Sequence, residues 1–125
     1  MILDEICAHK ATEVAAQRAK KPLAVLEERI AEVRPARPFR AALRQQGTSL
    51  IAEVKLASPT KGQFLRDIDP VELAGVYESA GARAISVLTD ERFFQGRLEF
   101  LPAIHKAVKV PCLRKEFIID AYQIY

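Results

Sequence analysis

Apolar positions along this chain change period near residue 48. From about Leu3 to Arg44 they recur at helical spacing. Leu3, Cys7 and Val14 form one stripe, with Ile6 and Ala11 beside it, and predict a first helix. Pro22 suits the first turn of a second helix, whose stripe is Leu23, Leu26, Ile30 and Val33. Pro35 and Pro38 break the chain, and Phe39, Ala42 and Leu43 predict a short third helix ending near Gly47. None of these pieces is long enough to hold its shape alone in water, so each must pack on something. From Ser49 the pattern alternates between strand and helix. Leu50–Lys55 is the first predicted strand. Asp69-Pro70-Val71-Glu72 opens a helix with an N-cap, a proline at the first position and an acid at the third. Leu73, Val76, Tyr77 and Ala80 follow on it, and Gly81 stops it. Ala82–Thr89 is the second strand, Leu98, Leu101, Ile104 and Val108 mark the next helix, and Val110–Lys115 is the third strand. Asp120 to Tyr125 read as the opening of another helix.

This β-α-β-α-β order implies an α/β fold with a parallel sheet. It fits either the start of a (β/α)8 barrel or a small doubly wound sheet. Charged or polar residues close all three strands: Glu53 and Lys55, then Thr89 and Asp90, then Lys115 and Glu116. Active sites of parallel β/α folds are built at that edge. A dinucleotide-binding sheet would want a GxGxxG turn after its first strand, and none is there. The barrel is the better fit, which divides the chain into a helical extension at 1–48 and the first three strands with their helices at 49–125.

Composition narrows the function classes. The 125 residues are 50% hydrophobic and 28% charged, as in an ordinary globular domain. No apolar run approaches the roughly 20 residues that span a bilayer. Asp4 and Glu5 stand where a signal peptide would be basic and then apolar, so a cytoplasmic location is expected. Residues 1–48 hold nine Lys/Arg against six Asp/Glu, whereas 49–125 hold ten of each, so the net charge of +3 lies wholly in the N-terminal part. The basic residues there alternate with acids among helix formers and lack aromatic interleaving. They read as a solvated helical face rather than a nucleic-acid arm, and their field would help attract a small phosphorylated substrate. Cys7 and Cys112 form no disulfide framework or metal motif, and read as buried apolar fillers. His9 and His105 have no second ligand nearby, so no metal and no cofactor is expected.

The most informative stretch is Ile51-Ala52-Glu53-Val54-Lys55-Leu56-Ala57-Ser58-Pro59-Thr60-Lys61-Gly62. Glu53 and Lys55 share a strand face. Opposite charges inside a strand point to a working site, although a surface ion pair at an exposed strand end would look the same. Lys55 and Lys115 would converge on one mouth, each as a cation for phosphate or carboxylate, a Schiff-base nucleophile or a general acid. The residues do not choose among these. Ser58 to Gly62 offer hydroxyls, amides and a cation suited to an anion, or form a plain turn. Phe93, Phe94 and Phe117 sit just past strand ends, where they either stack on an aromatic substrate or pack into loops.

Three ordered motifs resemble one family. Ile51 to Gly62, Ser86-Val87-Leu88-Thr89-Asp90-Glu91-Arg92-Phe93-Phe94-Gln95-Gly96 and Leu113-Arg114-Lys115-Glu116-Phe117-Ile118-Ile119-Asp120 are similar to the first three strand signatures of indole-3-glycerol phosphate synthase. The opening Ile2-Leu3-Asp4-Glu5-Ile6 and its basic amphipathic helix fit as well. The resemblance implies a TIM (β/α)8 barrel, here a helical extension plus about three βα units, ending at Tyr125 about halfway along a fold of about 250 residues. It implies a carbon-carbon lyase that closes an indole ring in tryptophan biosynthesis with loss of carbon dioxide and water. Its substrate is a small phosphorylated aromatic compound, an anthranilate joined to a deoxyribulose phosphate. Lys115 would be the proton donor to the ketone oxygen, and Glu53 and Lys55 would belong to the acid–base group of the dehydration. Ser58 and Pro59 would lie around the substrate, with Phe94 and Phe117 lining the anthranilate pocket. The N-terminal helices match an extension that covers the barrel mouth.

Leu56 stands where the family usually has a basic residue, and Glu116 where it usually has aspartate. A second catalytic glutamate, an asparagine and most of the phosphate site belong to the family's other half. An isolated piece with unpaired strand edges is expected to self-associate, or to be complemented by the missing half. Another phosphosugar barrel enzyme, an isomerase or aldolase, is the competing class, and the Glu53, Lys55 and Lys115 set argues against it.

Overall fold

A computed structural model describes residues 1–64 and 67–125. Two compact units are present, Ala36–Glu116 and Met1–Pro35 together with Phe117–Tyr125.

The larger unit is built on a three-stranded parallel sheet. Its strands are β1 (Ile51–Val54), β4 (Ala84–Leu88) and β5 (Cys112–Lys115), in the order β1-β4-β5. Each is shorter than its apolar pattern predicts, although the hydrogen bonding runs on a little, with the Leu50 carbonyl accepting the Arg83 N–H at 2.9 Å and the Pro111 carbonyl the Ile85 N–H at 3.0 Å. Helices α4 (Pro70–Ser79) and α5 (Phe100–Ala107) connect the strands and cover one face. Ala52 and Val54, Ile85 and Val87, Ala74 of α4 and Ile104 of α5 make one buried core with Ala82 and Val108. β4 is buried on both faces, as the middle strand of a parallel sheet should be.

Local chemistry sets the boundaries. The Asp69 carboxylate accepts the Val71 N–H at 2.8 Å and Pro70 occupies the first turn, so α4 starts where the sequence says. Gly81 ends it with φ at +96°, a conformation that glycine adopts without steric penalty. A third helix of this unit, α3 (Phe39–Leu43), precedes the sheet.

Three charged side chains fasten the N-terminal edge of the sheet. Arg83 donates to the carbonyls of Gln45 and Gln46 and to Ser49 Oγ, holding the turn before β1. Arg37 donates to the carbonyls of His105, Val108 and Val110, while Glu78 accepts the N–H groups of Lys109 and Val110. The link from α5 into β5 is thus gripped on both its carbonyls and its amides. Cys112 is half-buried rather than buried, and its thiol is pushed above its ordinary value by burial, with Arg37 opposing and Glu78 reinforcing.

The smaller unit holds α1 (Ile2–Lys20), α2 (Leu23–Ile30) and a single 3₁₀ turn at Ala121–Gln123. The buried stripe of α1 is Ile6, Lys10 and Val14, not the Leu3, Cys7 and Val14 stripe that apolarity alone suggests. Lys10 takes its place there because its ammonium reaches Glu13 Oε2 at 3.0 Å while its stem counts as apolar surface. α2 buries none of its residues, and Ile30 remains exposed. The expected final helix is only the 3₁₀ turn, closed by a capping box between Asp120 and Gln123. Arg18 of α1 meets Asp120 at 2.6 Å and lies over the Tyr122 ring, whose hydroxyl donates to the Lys21 carbonyl. No helix among the described residues is long and apolar enough to cross a membrane.

Candidate active site

Strand alternation decides which side chains leave the core. On β1, Ala52 and Val54 point into the helix-covered side, so Glu53 emerges on the opposite face. Parallel register sets Glu53 beside Ser86 of β4, Ser86 beside Leu113, and Leu88 beside Lys115 of β5. The face opposite α4 and α5 therefore carries Ile51 and Glu53, then Ala84, Ser86 and Leu88, then Leu113 and Lys115. Ile51 is 42% exposed and Leu113 41%, so little covers this face at its two outer strands.

Glu53 is the hub. Its Oε1 meets the Lys55 ammonium at 3.2 Å, and its Oε2 faces the Lys115 ammonium at 3.8 Å. The Ser86 hydroxyl donates to Oε2 at 3.1 Å, and the Tyr77 hydroxyl of α4 donates to the Glu53 carbonyl at 3.2 Å. The three residues expected to act together are thus together. Two ammoniums around one carboxylate give this three-residue cluster one positive charge in excess, suited to an anionic group placed beside it. Lys115 is the most exposed of them, at 57% against 35% for Lys55 and 31% for Glu53. It is the group best placed to reach a molecule lying above the face.

The segment after β1 is a paired turn rather than an open loop. Ala57–Ser58 (β2) and Gly62–Gln63 (β3) pair as a small antiparallel hairpin, with Pro59 in its exposed turn. Ser58 Oγ accepts the Lys61 N–H at 3.2 Å, so one of the amides expected to face an anion is used inside the turn. Ser58 and Pro59 still leave the sheet at the edge where Glu53 and Lys55 stand.

Phe94 is half-buried in the turn that follows β4. That turn is held by the Asp90 carboxylate, which accepts the Phe93 N–H at 2.8 Å, and by Gly96, whose N–H donates to the Asp90 carbonyl at 2.7 Å. A side chain at position 96 would meet the Leu88 carbonyl oxygen at 2.3 Å, so only glycine fits. Next to Lys115, Glu116 accepts a hydrogen bond from the Thr89 hydroxyl at 2.9 Å, tying β5 to the end of β4. Phe117 falls in the smaller unit, where its carbonyl accepts from the buried Gln123 amide at 2.9 Å. Among the described residues no group of three or more His, Cys, Asp or Glu side chains is placed to hold a metal ion.

Ser86, Tyr77 and Gly96 were not among the site residues expected from sequence. Ser86 had a readable signal, since it is the one hydroxyl in the apolar run Ala84–Leu88. Tyr77 had none, because it looks like any other core position of an amphipathic helix.

A parallel β/α sheet with α4 and α5 on one face and a charged cluster at the C-terminal ends of its strands has the arrangement of part of a (β/α)8 barrel. The family model for indole-3-glycerol phosphate synthase matches residues 3–125. Curated relatives of that name agree. The protein of Microcystis aeruginosa is 52% identical over 126 residues, which is 99% of this chain and 43% of the relative. Those of Azoarcus sp. and Chlorobium chlorochromatii are 49% and 46% identical, over 99% and 98% of this chain and 48% and 49% of their own lengths. The chain belongs to the indole-3-glycerol phosphate synthase family and spans under half the length of these relatives.

Proposed function

We propose that this chain supplies the first half of an indole-3-glycerol phosphate synthase active site, with Glu53, Lys55 and Lys115 as its catalytic group. The substrate would be 1-(2-carboxyphenylamino)-1-deoxyribulose 5-phosphate. The single observation that carries the reading is the Glu53 carboxylate set between two ammoniums at the C-terminal edge of the sheet.

Each chemical step asks for what this cluster offers. As the ring carbon bearing the carboxylate bonds to the ketone carbon, the ketone oxygen gathers negative charge and needs a proton. Lys115, exposed and held only at 3.8 Å from Glu53, is the donor. Carbon dioxide then leaves, and its bonding electrons restore the aromatic ring. The new hydroxyl departs as water with a proton from an acid, while a base takes a proton from the ring system. Glu53 and Lys55, at 3.2 Å from each other, make an acid–base pair for that step. Lys55 also balances the substrate's negative groups. Ser58 and Pro59 border the substrate, and Phe94 and Phe117 are the aromatic side chains assigned to its anthranilate ring, an apolar plane suited to stacking.

A second reading, in which the isolated chain is a non-catalytic, self-associating half-barrel, is favoured by the outer edges of β1 and β5, which pair with no further strand among the described residues, and by exposed Ile51 and Leu113. Sedimentation mass separates it from a monomer. The catalytic reading is tested by single-turnover conversion of the substrate, followed by indole fluorescence, with Lys115→Ala beside the unaltered chain. Product from the unaltered protein and none from the variant is the expected result. Equal product from both removes Lys115 from the chemistry.

A further inference from the structure

We propose that Ser86 is a positioning residue whose hydroxyl fixes the Glu53 carboxylate in its forked orientation, one oxygen toward Lys55 and the other toward Lys115. The proposal rests on the reading of those three residues as the catalytic group.

Ser86 lies at the centre of β4, the middle strand, between apolar neighbours on both sides. A parallel strand buried on both faces is expected to be a continuous apolar run, and a hydroxyl inside one is costly unless it finds an acceptor. Ser86 is 3% exposed, and its acceptor is Glu53 Oε2 at 3.1 Å. The parallel register makes the two residues direct neighbours across the β1–β4 ladder, so the bond needs no side-chain reach. Donation to a carboxylate is stronger than donation to a neutral oxygen.

The geometry of the fork gives that bond a consequence. Lys55 approaches Oε1 and Lys115 approaches Oε2. The last torsion of a glutamate is broad, so a carboxylate beside one near ammonium at 3.2 Å would be free to turn both oxygens toward it. A fixed donor on Oε2 holds the plane of the group and keeps that oxygen directed at Lys115. The Lys115 ammonium then stays near a negative charge at 3.8 Å without being locked to it, the state a proton donor needs before substrate arrives. The Tyr77 hydroxyl on the Glu53 carbonyl fixes the backbone from which the side chain springs.

Ser86→Ala removes the donor without adding volume. Ser86→Thr restores it, with a β-branched side chain that suits a strand. The carboxylate ¹³C resonance of Glu53 in the 125-residue chain, assigned by its loss in Glu53→Gln, is read at one fixed pH. It should move in Ser86→Ala and return toward its original position in Ser86→Thr. An unmoved resonance in Ser86→Ala overturns the proposal. Ring-closing turnover, measured on the chain assembled with the remaining half of a relative's barrel, gives the second readout. Ser86→Ala should lower kcat about 10- to 100-fold, the range for one hydrogen bond to a charged group, with KM little changed and kcat recovered in Ser86→Thr. Full kcat in Ser86→Ala, or a loss that Ser86→Thr does not recover, overturns it. If Glu53→Gln itself turns over normally, the catalytic reading of Glu53 falls, while the resonance still decides whether Ser86 orients the carboxylate.

Discussion

Glu53 receives a hydroxyl and faces two ammoniums with a single carboxylate, and its catalytic and structural values differ accordingly. All three charged groups are partly exposed, so water and salt screen their attraction. Glu53→Gln is therefore expected to change stability by less than about 1 kcal/mol. The same variant should lower turnover by at least about 100-fold, the lower range for a positioned acid or base. A urea titration and a turnover assay on one preparation check both halves. Gly96 is the reverse case. A Cβ there would lie 2.3 Å from the Leu88 carbonyl oxygen, so Gly96→Ala must displace backbone and should cost about 3 kcal/mol in urea unfolding. Cys112 gives a pH prediction. Burial, more than the opposing Arg37 charge allows, raises its folded-state value. The unfolded chain then loses the thiol proton first as pH rises, so stability falls as pH climbs past the unfolded value of about 8.5. Iodoacetamide should accordingly label Cys112 more slowly in the native protein at pH 8 than in urea, and equal rates would contradict the assignment. At this scale the sequence was informative where charge interrupts a strand pattern. The spacing of Glu53 and Lys55 declared a shared face and the order of strand ends brought Lys115 to the same mouth, whereas its role as proton donor came only with the family resemblance. Ser86 stood out as the one hydroxyl in its apolar run, but its pairing with Glu53 stayed hidden because that partner lies on another strand.

Helices and strands follow the apolar pattern in type and order, and depart from it where polar groups set the detail. The bounds of α4 were legible because Asp69 and Pro70 at its start and Gly81 past its end each act within one turn of the boundary they set. The hairpin β2–β3 was not, since two-residue strands carry no period. Nor was the buried stripe of α1, because a lysine stem serves there as apolar surface. The grip on the α5–β5 link was equally invisible, being made by residues from α4 and from before α3. Glu78→Ala leaves the Lys109 and Val110 amides without their carboxylate and should cost about 2 kcal/mol. The expected readout is a lower urea midpoint with the Glu53–Lys55 contact intact, as judged by the Glu53 carboxylate resonance. An unchanged midpoint would show that this link holds without Glu78.

At the scale of the molecule, β1 and β5 each pair on one side only among the described residues, and the catalytic candidates stand on the face opposite α4 and α5. Such a sheet is arranged for further strands at its edges and an opposing wall across its open face. The relatives have that extra length, since this chain spans 43% to 49% of them. The family and the partial barrel were legible in the sequence because three strand-end motifs occur in barrel order. The measurement that bears most directly on the whole account is complementation. The 125-residue chain is mixed with a polypeptide carrying the remaining strands of a relative, and indole fluorescence is followed under single turnover. Product that requires both polypeptides, and disappears with Lys115→Ala, is the predicted result. A folded, stoichiometric complex that binds the substrate's phosphate but forms no indole, or forms it equally with Lys115→Ala, would contradict the roles assigned to these residues.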